Sequence, residues 1–136
     1  WVDAGARTPA WAYSAIVNDA IPTDPRSVVT LISKLVGPVN VDRLLEFAPN
    51  ELQNLAGYEA VRKPTRSDFK GFPAVELGGT YDKSGKRRAI TQKTVVVEAP
   101  DSVFIVQINA DALDRDLGAL TDVNEVIAQQ ATITLP

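Results

Sequence analysis

Between Phe72 and Ala110 the chain alternates β-branched, apolar stretches with short turn sequences, and this spacing fits an antiparallel meander better than any other arrangement. Residues 72–81 (FPAVELGGTY) and 87–98 (RRAITQKTVVVE) flank Lys83-Ser84-Gly85. Residues 103–110 (VFIVQINA) follow the turn Ala99-Pro100-Asp101-Ser102. Gly85 stands where a three-residue loop, a type I turn followed by a bulge, needs a left-handed residue. Closing the first hairpin at Asp82 opposite Lys86 pairs Tyr81 with Arg87, Leu77 with Thr91 and Val75 with Lys93. Closing the second at Glu98 opposite Val103 pairs Val97 with Phe104 and Val95 with Val106. One face then gathers Val75, Leu77, Tyr81, Val95, Val97, Phe104, Val106 and Ile108, and that face is assigned to the core. The other carries Gln92 opposite Asn109 and Thr94 opposite Gln107, flanked by Val96 and Ile105. This polar ladder reads as a hydrogen-bonded sheet face under a helix or as the lining of a ligand cleft. Paired amides satisfy each other at little cost, which favours the first.

The flanking segments extend the sheet and cover it. Residues 11–18 (WAYSAIVN) alternate as a strand, and Thr23-Asp24-Pro25 stops them. Residues 27–36 (SVVTLISKLV) are apolar on both faces, a pattern that suits a strand covered on two sides, and Gly37-Pro38 ends it. Residues 40–55 read as helix, with Asn40 as N-cap, Asp42 in the first turn and Gly57 as the stop. Leu44, Ala48, Leu52 and Leu55 form its apolar stripe, and Pro49 predicts a kink or two short helices end to end. Residues 58–70 hold at most a short edge strand. A helix at about 121–130, capped by Thr121 or Asp122, and a last strand at 131–135 complete the expected order β-β-α-(β)-β-β-β-α-β. The fold class is α+β in a single domain spanning residues 1–136.

The chain lacks two of the side chains on which enzymes most often rely. It has no Cys and no His, so it offers no thiol nucleophile and no imidazole to act as base or metal ligand. Ser67-Asp68-Phe69-Lys70 matches the serine–lysine spacing of penicillin-interacting enzymes, but Gly71-Phe72-Pro73 follows at once and breaks the helix that the mechanism needs. Gly79 to Gly85-Lys86 misses the spacing of a phosphate loop. Asp111, Asp114 and Asp116 lack calcium-loop spacing, and they read with Asp122 and Glu125 as solvated helix-start acids. We expect no enzyme, no cofactor and no metal. No apolar run approaches the ~20 residues that cross a bilayer. The absence of Met places further sequence upstream of Trp1.

Net charge is −3 but unevenly spread: residues 62–93 carry nine basic and three acidic side chains, and residues 94–136 carry one and seven. Within the basic third, Lys83, Lys86, Arg87 and Arg88 are the candidate contact surface, set against the simpler reading of solvated side chains at a hairpin tip. Their partner would be an acidic protein face or anionic lipid headgroups. The acidic overall balance and the lack of a groove-reading motif argue against nucleic acid.

Five segments occur in an order met elsewhere: Leu31-Ile32-Ser33-Lys34-Leu35, Glu46-Phe47-Ala48-Pro49-Asn50-Glu51-Leu52, Leu77-Gly78-Gly79-Thr80-Tyr81, Gln92-Lys93-Thr94-Val95-Val96-Val97 and Gln107-Ile108-Asn109-Ala110-Asp111. Together they resemble the mycobacterial LpqN-type lipoprotein family over nearly the whole chain. The resemblance implies a Mog1/PsbP-like α/β/α sandwich, a mainly antiparallel sheet flanked by helices. It implies an extracytoplasmic domain, secreted or held at the envelope by a lipidated Cys upstream of Trp1, with a further helix and strand of the domain also upstream. The family brings no catalytic residues to carry over. It implies secreted or surface-exposed antigens and envelope proteins with binding roles. We therefore expect a non-catalytic module or surface antigen that binds an envelope or host protein, the alternative being a lipid- or glycolipid-binding accessory of envelope transport.

Overall fold

The computed structural model describes residues 2–3, 12–18 and 26–116, together with Gly118, Leu120 and Ile127. In chain order the elements are β1 (Val2–Asp3), β2 (Ala12–Asn18), β3 (Arg26–Val36), α1 (Val41–Phe47), α2 (Asn50–Gln53), β4 (Glu59–Phe69), β5 (Phe72–Lys83), β6 (Lys86–Glu98) and β7 (Ser102–Leu113). A short 3-10 turn, Asp114–Asp116, follows. The strands form one seven-stranded sheet in the order β1-β2-β3-β7-β6-β5-β4, antiparallel at every pair. With α1 and α2 packed on it the class is α+β. The helix and strand expected at 121–130 and 131–135 lie outside the described residues, except that Ile127 is helical.

The second hairpin has the expected register. Glu98 faces Val103, Val97 faces Phe104, Thr94 faces Gln107 and Gln92 faces Asn109. The first hairpin is shifted by one residue. Lys83 faces Lys86, so that Tyr81 faces Arg88, Leu77 faces Gln92 and Val75 faces Thr94. The cause is the turn: Ser84 as well as Gly85 is left-handed, at φ 54 and φ 76, and the loop has two residues instead of three. A two-residue turn with both φ positive matches the twist of the strands it joins. The shift sets Glu76 opposite Lys93 and Asp82 opposite Arg87. Both pairs are salt bridges, at 3.2 Å and 3.0 Å.

This register divides the expected core between the two faces of the sheet. On one face Val28, Ala74, Val95, Val97, Ile108 and Ala110 pack with Phe69 and with Leu120, and Phe104, Val106 and Ile127 border them. Val75, Leu77 and Tyr81, expected with that set, lie on the opposite face. There Val75, Val96 and Val103 receive Leu45 of α1. Asn40 caps α1 as expected, its Oδ1 accepting from the Arg43 N–H at 3.1 Å. Pro49 ends α1 and starts α2, giving two short helices. The buried side differs from the expected stripe: Leu45 and Leu52 are buried, whereas Leu44 and Ala48 are only half-buried.

Two strands differ from expectation. β3 is interior to the sheet, yet only partly covered among the described residues: Val28 is buried, Val29 to Ile32 are half-buried, and Ser33 and Lys34 are exposed. β4 is an eleven-residue edge strand, nearly all exposed, with two register shifts against β5. Its charged side chains, bulges and Pro64 blunt the edge against further pairing.

A substitution at the turn tests the first register. A Cβ at Gly85 would meet nothing within 4 Å, so Gly85→Ala is expected to cost only the left-handed penalty, about 1–2 kcal/mol. Ser84→Gly should relieve part of that strain and raise stability. Urea melts of both variants decide the matter. A destabilised Ser84→Gly would contradict the two-residue turn.

Candidate functional site

Because Leu45 seats α1 over Val75, Val96 and Val103, the neighbouring part of the same face stays open. Ile105 and Gln107 of β7 and Thr94 of β6 form its floor. Pro38, Val39 and Asn40 at the entry to α1 form one wall, and Arg43, Leu44, Phe47 and Ala48 of α1 with Glu51 of α2 form the other. The cleft measures about 740 Å³, within the usual range for small-molecule sites. Its walls are mainly apolar. Phe47 is 54% exposed at the rim, with the Arg43 guanidinium 5.9 Å from its ring centre.

The floor is polar. Gln92 Nε2 donates to Asn109 Oδ1 at 3.0 Å, and Asn109 Nδ2 donates to Gln107 Oε1 at 3.0 Å. Both readings of the ladder hold in part: the amides satisfy one another, and Thr94 and Gln107 line the cleft. The ladder is not fully satisfied. Gln92 Oε1 and Thr94 Oγ1 are buried and have no partner among the described residues. An unpaired buried polar atom costs on the order of 1–3 kcal/mol, and of these two Thr94 lines the cleft, so its hydroxyl is the one that calls for a functional reason there.

Further along this face β5, β6 and β7 bring Tyr81, Arg88 and Asp111 together. Asp111 Oδ2 accepts from the Tyr81 hydroxyl, and Oδ1 accepts from Arg88 Nε at 2.5 Å. Burial, and then the Asp111 bond, push the Tyr81 pKa well above its ordinary value. Burial opposes the Arg88 charge, but the Asp111 bond and charge outweigh it and raise its pKa. The three clamp the strands. Beside them the Tyr58 ring lies over Gly79, where a Cβ would approach ring atoms to 2.8 Å. The Tyr58 hydroxyl is buried without a partner among the described residues, and burial raises its pKa.

The four basic residues expected to form one contact surface are not brought together. Arg87 and Arg88 are consecutive in a strand, so they point to opposite faces. Arg87 is bound to Asp82, Glu59, the Thr80 hydroxyl and the Gly57 carbonyl. Arg88 is half-buried against Asp111. Lys83 and Lys86 remain exposed across the turn from each other. Ser67 and Lys70 sit on β4 and in its turn, where Lys70 has φ 52, and do not share a helical turn. Sequence reasoning missed Arg43, Leu44 and Phe47. Leu44 was visible only as part of an apolar stripe assigned to the core, and Arg43 and Phe47 flank it on the exposed side of α1.

The raised tyrosines give stability a definite pH dependence. Unfolded tyrosines ionise near pH 10 while Tyr81 and Tyr58 stay protonated in the fold, so stability falls as pH rises above about 10. Tyr81→Phe should flatten that fall, measured as the unfolding free energy between about pH 9 and pH 11. An unchanged slope would mean that Tyr81 is not held by Asp111.

The family model described as "Probable lipoprotein LpqN" matches residues 1–134. The chain is 44% identical over 124 residues to Lipoprotein LpqN of Mycobacterium tuberculosis (strain ATCC 25618 / H37Rv), covering 90% of this chain and 54% of that protein. It thus spans about half of that relative's length. The crystal structure of LpqN, described as involved in cell envelope biogenesis of Mycobacterium tuberculosis, superposes with a TM-score of 0.87 at 41% identity, covering 95% of this chain and 76% of that one. Protein PA94 of Pseudomonas aeruginosa, of unknown function, matches with a TM-score of 0.53 at 17% identity over 98% of this chain and 81% of its own, a likeness of fold alone. On the extent of the family match and the identity to LpqN, the chain belongs to the LpqN lipoprotein family.

Proposed function

We propose that this domain works at the cell envelope without catalysis, holding an amphipathic, lipid-like ligand in the cleft between α1, α2 and the sheet. The observation that carries the reading is the cleft itself: apolar walls from Val39, Leu44, Phe47 and Ala48 over a floor with the unpartnered Thr94 hydroxyl. A pure protein-docking surface has no need of a buried, unsatisfied hydroxyl at the bottom of a groove. The envelope setting draws support from the likeness to LpqN, described as involved in cell envelope biogenesis. Attachment through a lipidated Cys upstream is part of the same proposal. So is the Mog1/PsbP-like sandwich, supported by helical residues on both sheet faces, with Leu45 on one and Leu120 on the other. The lack of His and Cys, and the strand-and-turn placement of Ser67 and Lys70, support a non-catalytic role.

Filling the cleft tests this. Ala48→Trp should lower the affinity for decanoate or a fluorescent fatty acid by about tenfold or more, by occupying the apolar space. Its melting temperature should stay close to that of the unaltered domain, because Ala48 is only half-buried. Lys83→Glu, at the exposed tip, should leave binding unchanged. Binding that survives Ala48→Trp and fails with Lys83→Glu would move the site to the hairpin tip and end the cleft reading.

A further inference from the structure

We propose that the cleft reads the polar end of its ligand as a hydrogen-bond acceptor. The Gln107 amide NH2 and the Thr94 hydroxyl donate to an acyl oxygen, carbonyl or carboxylate, while the alkyl chain lies against Leu44, Phe47 and Ile105. This deepens the cleft reading above and rests on it.

The direction of the amide ladder carries the inference. Gln92 donates to Asn109, and Asn109 donates to the carbonyl oxygen of Gln107. The ladder therefore uses the acceptor of Gln107 and presents its NH2 to the cleft that Gln107 lines. Turning all three amides over would seat the orphan Gln92 carbonyl but would strand the Gln92 NH2, with its two donors, in a residue only 3% exposed. A buried orphan N–H is rarer in proteins than an under-satisfied C=O, so the observed direction is the cheaper one. Thr94 adds an independent sign: it lines the cleft, is 3% exposed, and its hydroxyl has no acceptor among the described residues. Its proton is free to be given to a guest. Arg43 supplies further donors from the wall, against the single carboxylate of Glu51.

A series of heads on one chain length tests the claim, using decanoate, methyl decanoate and decylammonium below their micelle concentrations, titrated calorimetrically into the domain. The acid and the ester should bind at least about tenfold tighter than the ammonium, which offers only donors to a donor floor. Equal binding of acid and ester identifies the carbonyl as the recognised group; binding of the acid alone identifies the carboxylate. Gln107→Glu replaces the donor by an acceptor, so it should weaken decanoate by about tenfold and strengthen decylammonium. Thr94→Val, close in shape, should weaken acid and ester several-fold, with thermal melts confirming that both variants stay folded. If all three heads bind alike and Gln107→Glu leaves their order unchanged, the head-group claim is overturned while the cleft reading stands. If none binds, both fall.

Discussion

The pairing of β5 with β6 decides what each face of this sheet can do. With Ser84 and Gly85 as a two-residue turn, Glu76 meets Lys93 and Asp82 meets Arg87, and Val75, Leu77 and Tyr81 turn toward the helices. Shifted by one residue, the strand would lose both charge pairs. It would also place Val75 on the other face, away from Leu45. The seat of α1, the cleft beside it and the Tyr81–Asp111–Arg88 clamp all depend on this one register. Cross-strand pairs contribute only about 0.2–1 kcal/mol each, so register is held by their sum together with the burial they permit.

The site exists because cover and polarity are mismatched on one sheet face. Leu45 covers Val75, Val96 and Val103, and α1 is too short to cover the polar ladder as well. A hydrogen-bonded ladder under a close-packed helix would have no unpaired atoms. Here Thr94 Oγ1 finds no partner among the described residues and sits beside an open, apolar-walled space. That combination stores the recognition of a guest in the floor and leaves the walls to bury its apolar part.

Much of this was legible in the sequence, and the parts that were not share a cause. The β6–β7 register could be derived because Ala99-Pro100-Asp101-Ser102 admits few closures, and the Ala99 N–H donates to the Ser102 carbonyl at 2.8 Å. The β5–β6 register could not be derived from turn chemistry alone, since Ser84 takes a left-handed conformation that side chains usually avoid. The opposed charges of Glu76 with Lys93 and Asp82 with Arg87 were the overlooked signal. β4 has no apolar alternation, because an exposed edge strand need only offer its backbone to β5. The ladder was visible, but not its exposure to a cleft. That depends on where Pro49 ends α1 and on Leu45, not Leu44, being the residue that seats the helix, which leaves Leu44 and Ala48 beside the open side.

The central claim is that a guest binds between α1, α2 and the floor made by β6 and β7. The most direct measurement is a set of amide nitrogen–proton NMR spectra of the labelled domain with increasing decanoate. Bound at the cleft, decanoate should move the signals of Arg43, Leu44, Ala48, Thr94, Ile105 and Gln107. Those of Lys83 and Lys86 at the turn, and of Ala89 and Ala110 on the opposite face, should stay in place. Shifts concentrated at the turn or across the opposite face, with the cleft residues unmoved, would contradict the account.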